Sequence, residues 1–423
     1  MQFHLHTLKN GLRVILAPMK DNRTATVIVM SGTGSRYETR EENGLAHFLE
    51  HMFFKGTKRR KDARAISEEL DALGSVSNAF TSKERTAYYA KVASRYAMEA
   101  LDIISDIYLH STLPSKEIQK ERGAIIQKID MYEDMTMRTI DNVFDELIYG
   151  KDHPLGRTVL GPKENIRAFT RKQFDAYLKR HYNPGNTVVC VAGNFDEKKV
   201  LAKITKDFGS IKNGEISSYA PFSDTQTEPR VLIKEKKTDQ TQLMLGVPAY
   251  PYGHKDEYAL GLLATVLGGG MSSRLFLEVR EKRGLAYSVS AGIDKYPDTG
   301  SFYVSAGIEH GKLEKVVQTI LKELKKIQKE KVSAAELKKA KAYLTGNLAL
   351  HLETSDEIAE NAATSLINTG KVRTLEERIK AINAVTADDI QRVARDIFRT
   401  DKLNLAVIGP HKDDGKLIDS LAL

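Results

Sequence analysis

Residues 170–193 read TRKQFDAYLKRHYNPGNTVVCVAG, and residues 386–409 read TADDIQRVARDIFRTDKLNLAVIG. The two stretches have the same length and align without a gap. Each opens on a Thr able to cap a helix, runs through apolar residues at helical spacing, and closes on a short β-rich run ending in Gly. Phe174 falls on Ile390, Tyr182 on Phe398 and Val191 on Val407. The offset between them is about half the chain, so a duplicated domain is the economical explanation.

Outward from these anchors, both halves follow one coarse order. Strands come first, at 12–17 and 26–31 or at 240–247, then a helix at 44–54 or 258–267. Long helices follow, around 96–110 and 312–330. Strand pairs are expected at 74–76 with 86–93 and at 286–293 with 300–308, the second joined through Tyr-Pro-Asp-Thr-Gly at 296–300. Residues 213–229 are rich in Ser, Thr, Pro and acidic side chains and read as an exposed linker. The pattern predicts an α+β protein of two homologous domains, 1–212 and 230–423. Each is an antiparallel-rich sheet with long helices on one face.

Composition narrows the function. The 423 residues carry 64 basic and 56 acidic side chains, a net charge of +8, with no Trp and one Cys. The basic excess is spread over helical stretches such as 322–331 and 338–341. It reads as solvated helix faces, and no nucleic-acid module accompanies it. Cys190 sits in the apolar run 188–191, so no disulfide framework is possible and a buried small side chain is expected. Residues 1–20 alternate like a strand and lack the apolar core of a signal peptide. No stretch reaches the roughly 18 consecutive apolar residues of a membrane span. A cytoplasmic protein is the expectation.

The chemistry concentrates at His47-Phe48-Leu49-Glu50-His51. Residues four apart share a helix face, so both imidazoles can point at one ion. Glu50 falls near that face, where a carboxylate polarises a metal-bound water without ligating the metal. Zinc needs three protein ligands and an open position for such work. Leu45, Phe48, Leu49, Met52 and Phe53 supply the apolar side of the helix.

The motif is embedded in Ser31-Gly32-Thr33-Gly34-Ser35-Arg36, then Glu42-Asn43-Gly44-Leu45-Ala46, and Met52-Phe53-Phe54-Lys55-Gly56-Thr57 after it. That run resembles the insulinase/pitrilysin family of inverted-motif zinc metallopeptidases, in its short bacterial processing-peptidase-like branch. The resemblance extends over nearly the whole chain. It implies two homologous domains enclosing a chamber, zinc bound by His47 and His51, and Glu50 as general base. It also implies that Arg280 and Tyr287, seven apart in Arg-Glu-Lys-Arg-Gly-Leu-Ala-Tyr, reach the substrate, the Tyr hydroxyl stabilising the oxyanion. Asn78 and Ala79 resemble the family's substrate-contacting strand edge, to which a peptide adds by main-chain hydrogen bonds. The implied partners are unfolded peptides and a second copy of the chain in a homodimer.

One position departs from the family. A Glu is expected seven residues after Glu121 as the third zinc ligand, and Lys128 stands there, after Gln127. A protonated lysine has no lone pair for zinc, and its charge repels the ion. Glu121, two turns back on the same helical face, is the candidate substitute ligand, or else a partner for Lys128. Asp130 points elsewhere. Zinc is therefore expected to be weakly bound or absent. The chain reads as a metalloendopeptidase with an altered third ligand, as a metal-poor homologue that keeps peptide binding or serves as a subunit, or as an active sequence carrying one substitution.

Three smaller signals are discounted. His4 and His6 share a strand face with no acidic or Cys partner placed nearby, and a solvated strand face is expected. Gly268-Gly269-Gly270 lacks the ending of a phosphate loop and reads as a turn or hinge. Gly123, inside a helix, is expected to mark close helix packing.

Overall fold

The structure is a computed structural model that describes residues 2–214, 218–412 and 415–423. Its frame is two β-sheets. The first has six strands: β1 (His4–Thr7), β2 (Arg13–Pro18), β3 (Thr24–Ser31), β4 (Val76–Thr81), β5 (Thr86–Ala93) and β6 (Thr187–Gly193), in the order β1-β2-β6-β3-β5-β4. The second has five: β7 (Arg230–Glu235), β8 (Thr241–Ala249), β9 (Ala286–Lys295), β10 (Gly300–Ile308) and β11 (Asn404–Gly409), in the order β7-β11-β8-β10-β9. β6 runs parallel to β2 and antiparallel to β3, and β11 runs parallel to β7 and antiparallel to β8. The first sheet thus repeats the second with β1 added at one edge.

The repeated stretches behave as their sequences require. Thr170 and Thr386 each close a capping box on a helix, Arg171–His181 and Ala387–Ile397. Strands β6 and β11 follow and are buried along their whole length. An uninterrupted apolar strand must be covered on both faces, because successive side chains point to opposite sides. In β6, Val189 and Val191 pack under the helices of one layer, against Phe48, Phe174 and Ile104. Val188, Cys190 and Ala192 face the other way, against Ile358, Ala359, Ala362, Ala363 and Leu366.

Those last residues belong to the helix Ser355–Thr369, from the second half of the sequence. The second sheet shows the reverse. Met244, Ala406 and Ile408 pack on Ile140, Val143, Phe144 and Ile148 of the helix Thr136–Tyr149, from the first half. Gly246 is where that helix comes closest: a Cβ there would lie 2.7 Å from a Phe144 ring carbon and 2.3 Å from the Phe302 carbonyl oxygen. Each sheet therefore has the expected long helices on one face and a helix from the other half on its second face. By contacts the chain divides into Met1–Asp130, Arg157–Ala220 and Ala349–Leu375 as one unit, and Met131–Gly156, Pro221–Leu348 and Glu376–Leu423 as the other. The periodicity of a helix shows which of its faces is apolar, but not which sheet that face will cover.

In the expected linker, 215–217 lie outside the described residues. Most of the described remainder is exposed, as expected; Gln226 is the exception, buried with its side chain bonding the carbonyls of Glu228 and Leu403 and the Asn404 side-chain amide. Two further expectations need correction. Gly123 marks no close packing, since a Cβ there would meet nothing within 4 Å. His4 does have an acidic partner: Glu197, distant in sequence, lies 2.6 Å from its Nδ1. At Gly268, by contrast, a Cβ would sit 2.2 Å from the Ala291 nitrogen, so the glycine run allows a close backbone approach.

Candidate metal centre

The motif occupies the helix Leu45–Phe53 in the first unit. Leu45, Ala46, Phe48, Leu49, Met52 and Phe53 are all completely buried, which fixes the rotation of the helix about its axis. His47, Glu50 and His51 are left on the remaining side. His47 is 3% exposed and Glu50 9%, so both work largely out of water. The two imidazoles stand edge to face, with ring centroids 4.7 Å apart. They share a side of the helix, as their spacing predicts.

The long helix Ser115–Asp134 supplies the residues opposite. Ile118, Ile125 and Ile129 bury one of its faces, and this brings Glu121 and Lys128, seven apart, toward the motif. The Lys128 ammonium donates to His47 Nε2 at 3.0 Å. Glu121 accepts from His51 Nδ1 at 2.8 Å and from the Lys55 ammonium at 2.7 Å. Glu121 is therefore engaged on the Nδ1 side of His51. It orients that imidazole with Nε2 left as the lone-pair nitrogen, the arrangement an outer carboxylate gives a metal-binding His. His47 Nε2 also carries a lone pair, but the lysine faces it. Its Nδ1 is buried without a hydrogen-bond partner.

The electrostatics follow from burial and these neighbours. Burial, then the nearness of His51 and the Lys128 ammonium, holds His47 well below the ordinary imidazole range. Burial raises Glu50, and the Thr81 hydrogen bond and the positive neighbours only partly offset this. Burial alone would raise Glu121 too, but the hydrogen bonds from His51 and Lys55 outweigh it and bring the carboxyl down to about 2. A raised Glu50 suits a proton acceptor, and a depressed Glu121 suits a permanent anion.

These residues do not make a three-ligand zinc site. Two imidazoles converge, but the third position holds an ammonium, and among the described residues no three His, Cys, Asp or Glu side chains are grouped to hold a metal.

Three side chains at the site had no sequence signal. Thr81 ends β4 and donates to Glu50 Oε2 at 2.5 Å, leaving the other carboxylate oxygen free of that bond. Lys55 holds Glu121. Glu38, in the turn a few residues ahead of the motif helix, accepts from the amides at its start. All three contacts depend on how strands and turns come together.

Asn78 and Ala79 lie on β4, the edge of the first sheet, paired only to β5, with Asn78 opposite Tyr89 and Ala79 opposite Tyr88. Asn78 is exposed and its Oδ1 bonds the Ala79 amide. In the second unit, Arg280 lies in the short π-helix Phe276–Glu281. Its guanidinium stands over the rings of Phe276 at 4.8 Å and Tyr287 at 5.3 Å, and Tyr287 is 76% exposed. The helix of that unit corresponding to the motif helix, Glu257–Gly268, contains no His and is largely buried.

A duplicated sheet-and-helix unit, with His-x-x-Glu-His on the helix of one copy alone, defines a class of two-domain zinc peptidases. Residues 13–163 match the family model described as Insulinase (Peptidase family M16), and residues 168–344 match that described as Peptidase M16 inactive domain. A Bacillus subtilis protein described as the uncharacterized zinc protease YmxG is 38% identical over 406 residues, covering 96% of this chain and 98% of that protein. A Rickettsia felis protein described as an uncharacterized zinc protease is 38% identical over 414 residues, covering 97% of this chain and 98% of that one. A protease from Helicobacter pylori has a similar crystal structure, with a TM-score of 0.90 at 27% identity, covering 97% of this chain and 99% of that chain. The chain belongs to the insulinase family, peptidase family M16. None of its helices among the described residues is long and apolar enough to cross a membrane.

Proposed function

We propose that this chain is a metalloendopeptidase of unfolded peptides whose zinc affinity, and with it turnover, is cut by Lys128. The family, the convergent imidazoles and a buried Glu50 support the peptidase reading. One observation carries the qualification: the lysine ammonium donates to the His47 nitrogen that a zinc ion would need, at 3.0 Å. Even losing an outer-sphere partner costs roughly 10–100-fold in metal affinity, and a missing ligand costs at least as much. In this proposal the chain's own residues divide the work. Glu50, fixed by Thr81, receives the proton of the attacking water. Asn78 and Ala79 hold the peptide along the edge of β4, Arg280 contacts it, and the exposed Tyr287 hydroxyl meets the developing oxyanion.

The same lysine contact leaves room for a second reading, a peptide-binding or subunit role without turnover, which the likeness to zinc proteases does not favour. In both readings peptides are the partners, and because motif helix and Arg/Tyr segment lie on one chain no unlike subunit is needed; a cytoplasmic homodimer is the state proposed from the family resemblance. Zinc stoichiometry and cleavage of a quenched peptide, in the parent and in Lys128→Glu, separate them. Chelator-sensitive cleavage in the parent, raised by the substitution, supports the enzyme. Peptide binding without zinc or cleavage, with both appearing in the variant, supports the second reading. A variant that takes up no zinc refutes the metal centre altogether.

A further inference from the structure

The helix that carries His47, Glu50 and His51 begins on Gly44, in the left-handed region at φ +101°. No other residue fits there: a Cβ would sit 2.6 Å from the Leu160 carbonyl oxygen and 2.9 Å from a carbon of Ile166. A glycine has no side chain with which to cap the helix. The first amides of a helix have no acceptor within it, and buried ones must find a partner elsewhere. Leu45 finds one in the Glu42 carbonyl, at 2.9 Å.

The other acceptor is the carboxylate of Glu38. Its Oε1 accepts from the Ala46 amide at 2.6 Å, and its Oε2 from the Gly44 amide at 2.9 Å and from the Asn43 side chain at 3.1 Å. Glu38 is 3% exposed. It is itself fixed, since Arg157 donates to its backbone carbonyl at 2.7 Å and Asn43 also donates to the Thr158 carbonyl at 2.9 Å. A negative group at this end also complements the helix dipole.

We propose that Glu38 is a positioning residue for the metal centre, an N-terminal cap supplied from outside the helix that sets the first turn and with it His47. His47 is the third residue of the helix, whereas His51 lies a turn further on and is held separately by Glu121. Loss of the cap therefore displaces one imidazole relative to the other. The cap stands on hydrogen-bond geometry alone; its consequence for catalysis rests on the peptidase reading above.

The test uses the full chain without added metal. Glu38→Gln keeps the shape and one good acceptor, and Glu38→Met keeps the approximate shape and no acceptor. Backbone amide exchange over residues 44–49 is followed by NMR or mass spectrometry, with the imidazole 15N signals of His47 and His51. The expected result is graded. Exchange of the Gly44 and Ala46 amides speeds up at least about 10-fold in Glu38→Met and less in Glu38→Gln, since hydrogen bonds to a charged group are the stronger kind. The His47 signal moves and that of His51 stays. If Glu38 only fills space, both variants exchange like the parent, and that result overturns the proposal. A uniform rise over the strands of the first sheet overturns it too. Should Glu38→Met not fold, the Glu38→Gln data decide alone. Because exchange is read without metal, failure of the zinc reading leaves this result standing.

Discussion

Exchanging Lys128 for Glu isolates the one feature that separates this site from a complete zinc centre. In the parent, a positive group lies 3.0 Å from the His47 nitrogen that a metal would require. The substitution removes it and places an anion, on a side chain one atom shorter, on the same face of the long helix. Unit charges about 4 Å apart interact by about 4 kcal/mol at an effective dielectric of about 20. Zinc is divalent and the exchange reverses the sign of its neighbour, so the gross change is several times larger. If relaxation and solvent remove most of it, about 3 kcal/mol remains, a factor of about 100 in zinc affinity. Competition against a chromophoric chelator measures that affinity directly, and a parallel denaturation curve confirms that the variant is folded. A folded Lys128→Glu protein that binds zinc no more tightly than the parent would refute the reasoning, because the ammonium would then not be what excludes the metal.

Three further outcomes follow from the same contacts. Thr81→Val deletes the hydrogen bond that restrains the raised Glu50, so the carboxyl should titrate at still higher pH, as infrared difference spectra of the carboxyl band would show. Burial lifts Glu38 from 4.5 to about 7, against the amide hydrogen bonds that favour its charged form. Its folded pKa lies above its unfolded one, so ionising it costs more in the folded chain. The stability linked to its proton is full below about pH 4.5 and falls by about 3 kcal/mol as pH rises through about 7, even though the ionised carboxylate is the better acceptor for the amides. Chemical unfolding of parent and Glu38→Gln at pH 5 and pH 8 should show a steeper fall in the parent, the difference between the two being the Glu38 contribution. Gly246→Ala forces a Cβ against Phe144 and the Phe302 carbonyl and should destabilise the second unit by about 1–3 kcal/mol; an unchanged unfolding midpoint would show that the helix Thr136–Tyr149 gives way freely.

Much of the site was legible because its information is local. Two His and a Glu within one helical turn fix their own relative directions, and seven residues on a helix bring Lys128 back to the face of Glu121. The partners of these groups were not legible. Thr81, Lys55 and Glu38 act on Glu50, Glu121 and the helix start through contacts that no spacing encodes. Glu121 itself was placed on the correct face, yet which nitrogen of His51 it meets depended on how the two helices approach.

The sequence by itself determined the duplication, the strands and helices of each half, the helix that presents His47, Glu50 and His51, and the missing third carboxylate. Periodicity and short spacings carry these, because a helix or strand fixes the directions of its own side chains. Only the tertiary structure decided that Ser355–Thr369 and Thr136–Tyr149 each cover the sheet built mainly from the other half of the chain. It also decided that Lys128 donates to His47 rather than pairing with Glu121. Apolar burial is non-directional, so an apolar helix face fits either sheet, and the choice rests on complementary packing between surfaces far apart in the chain.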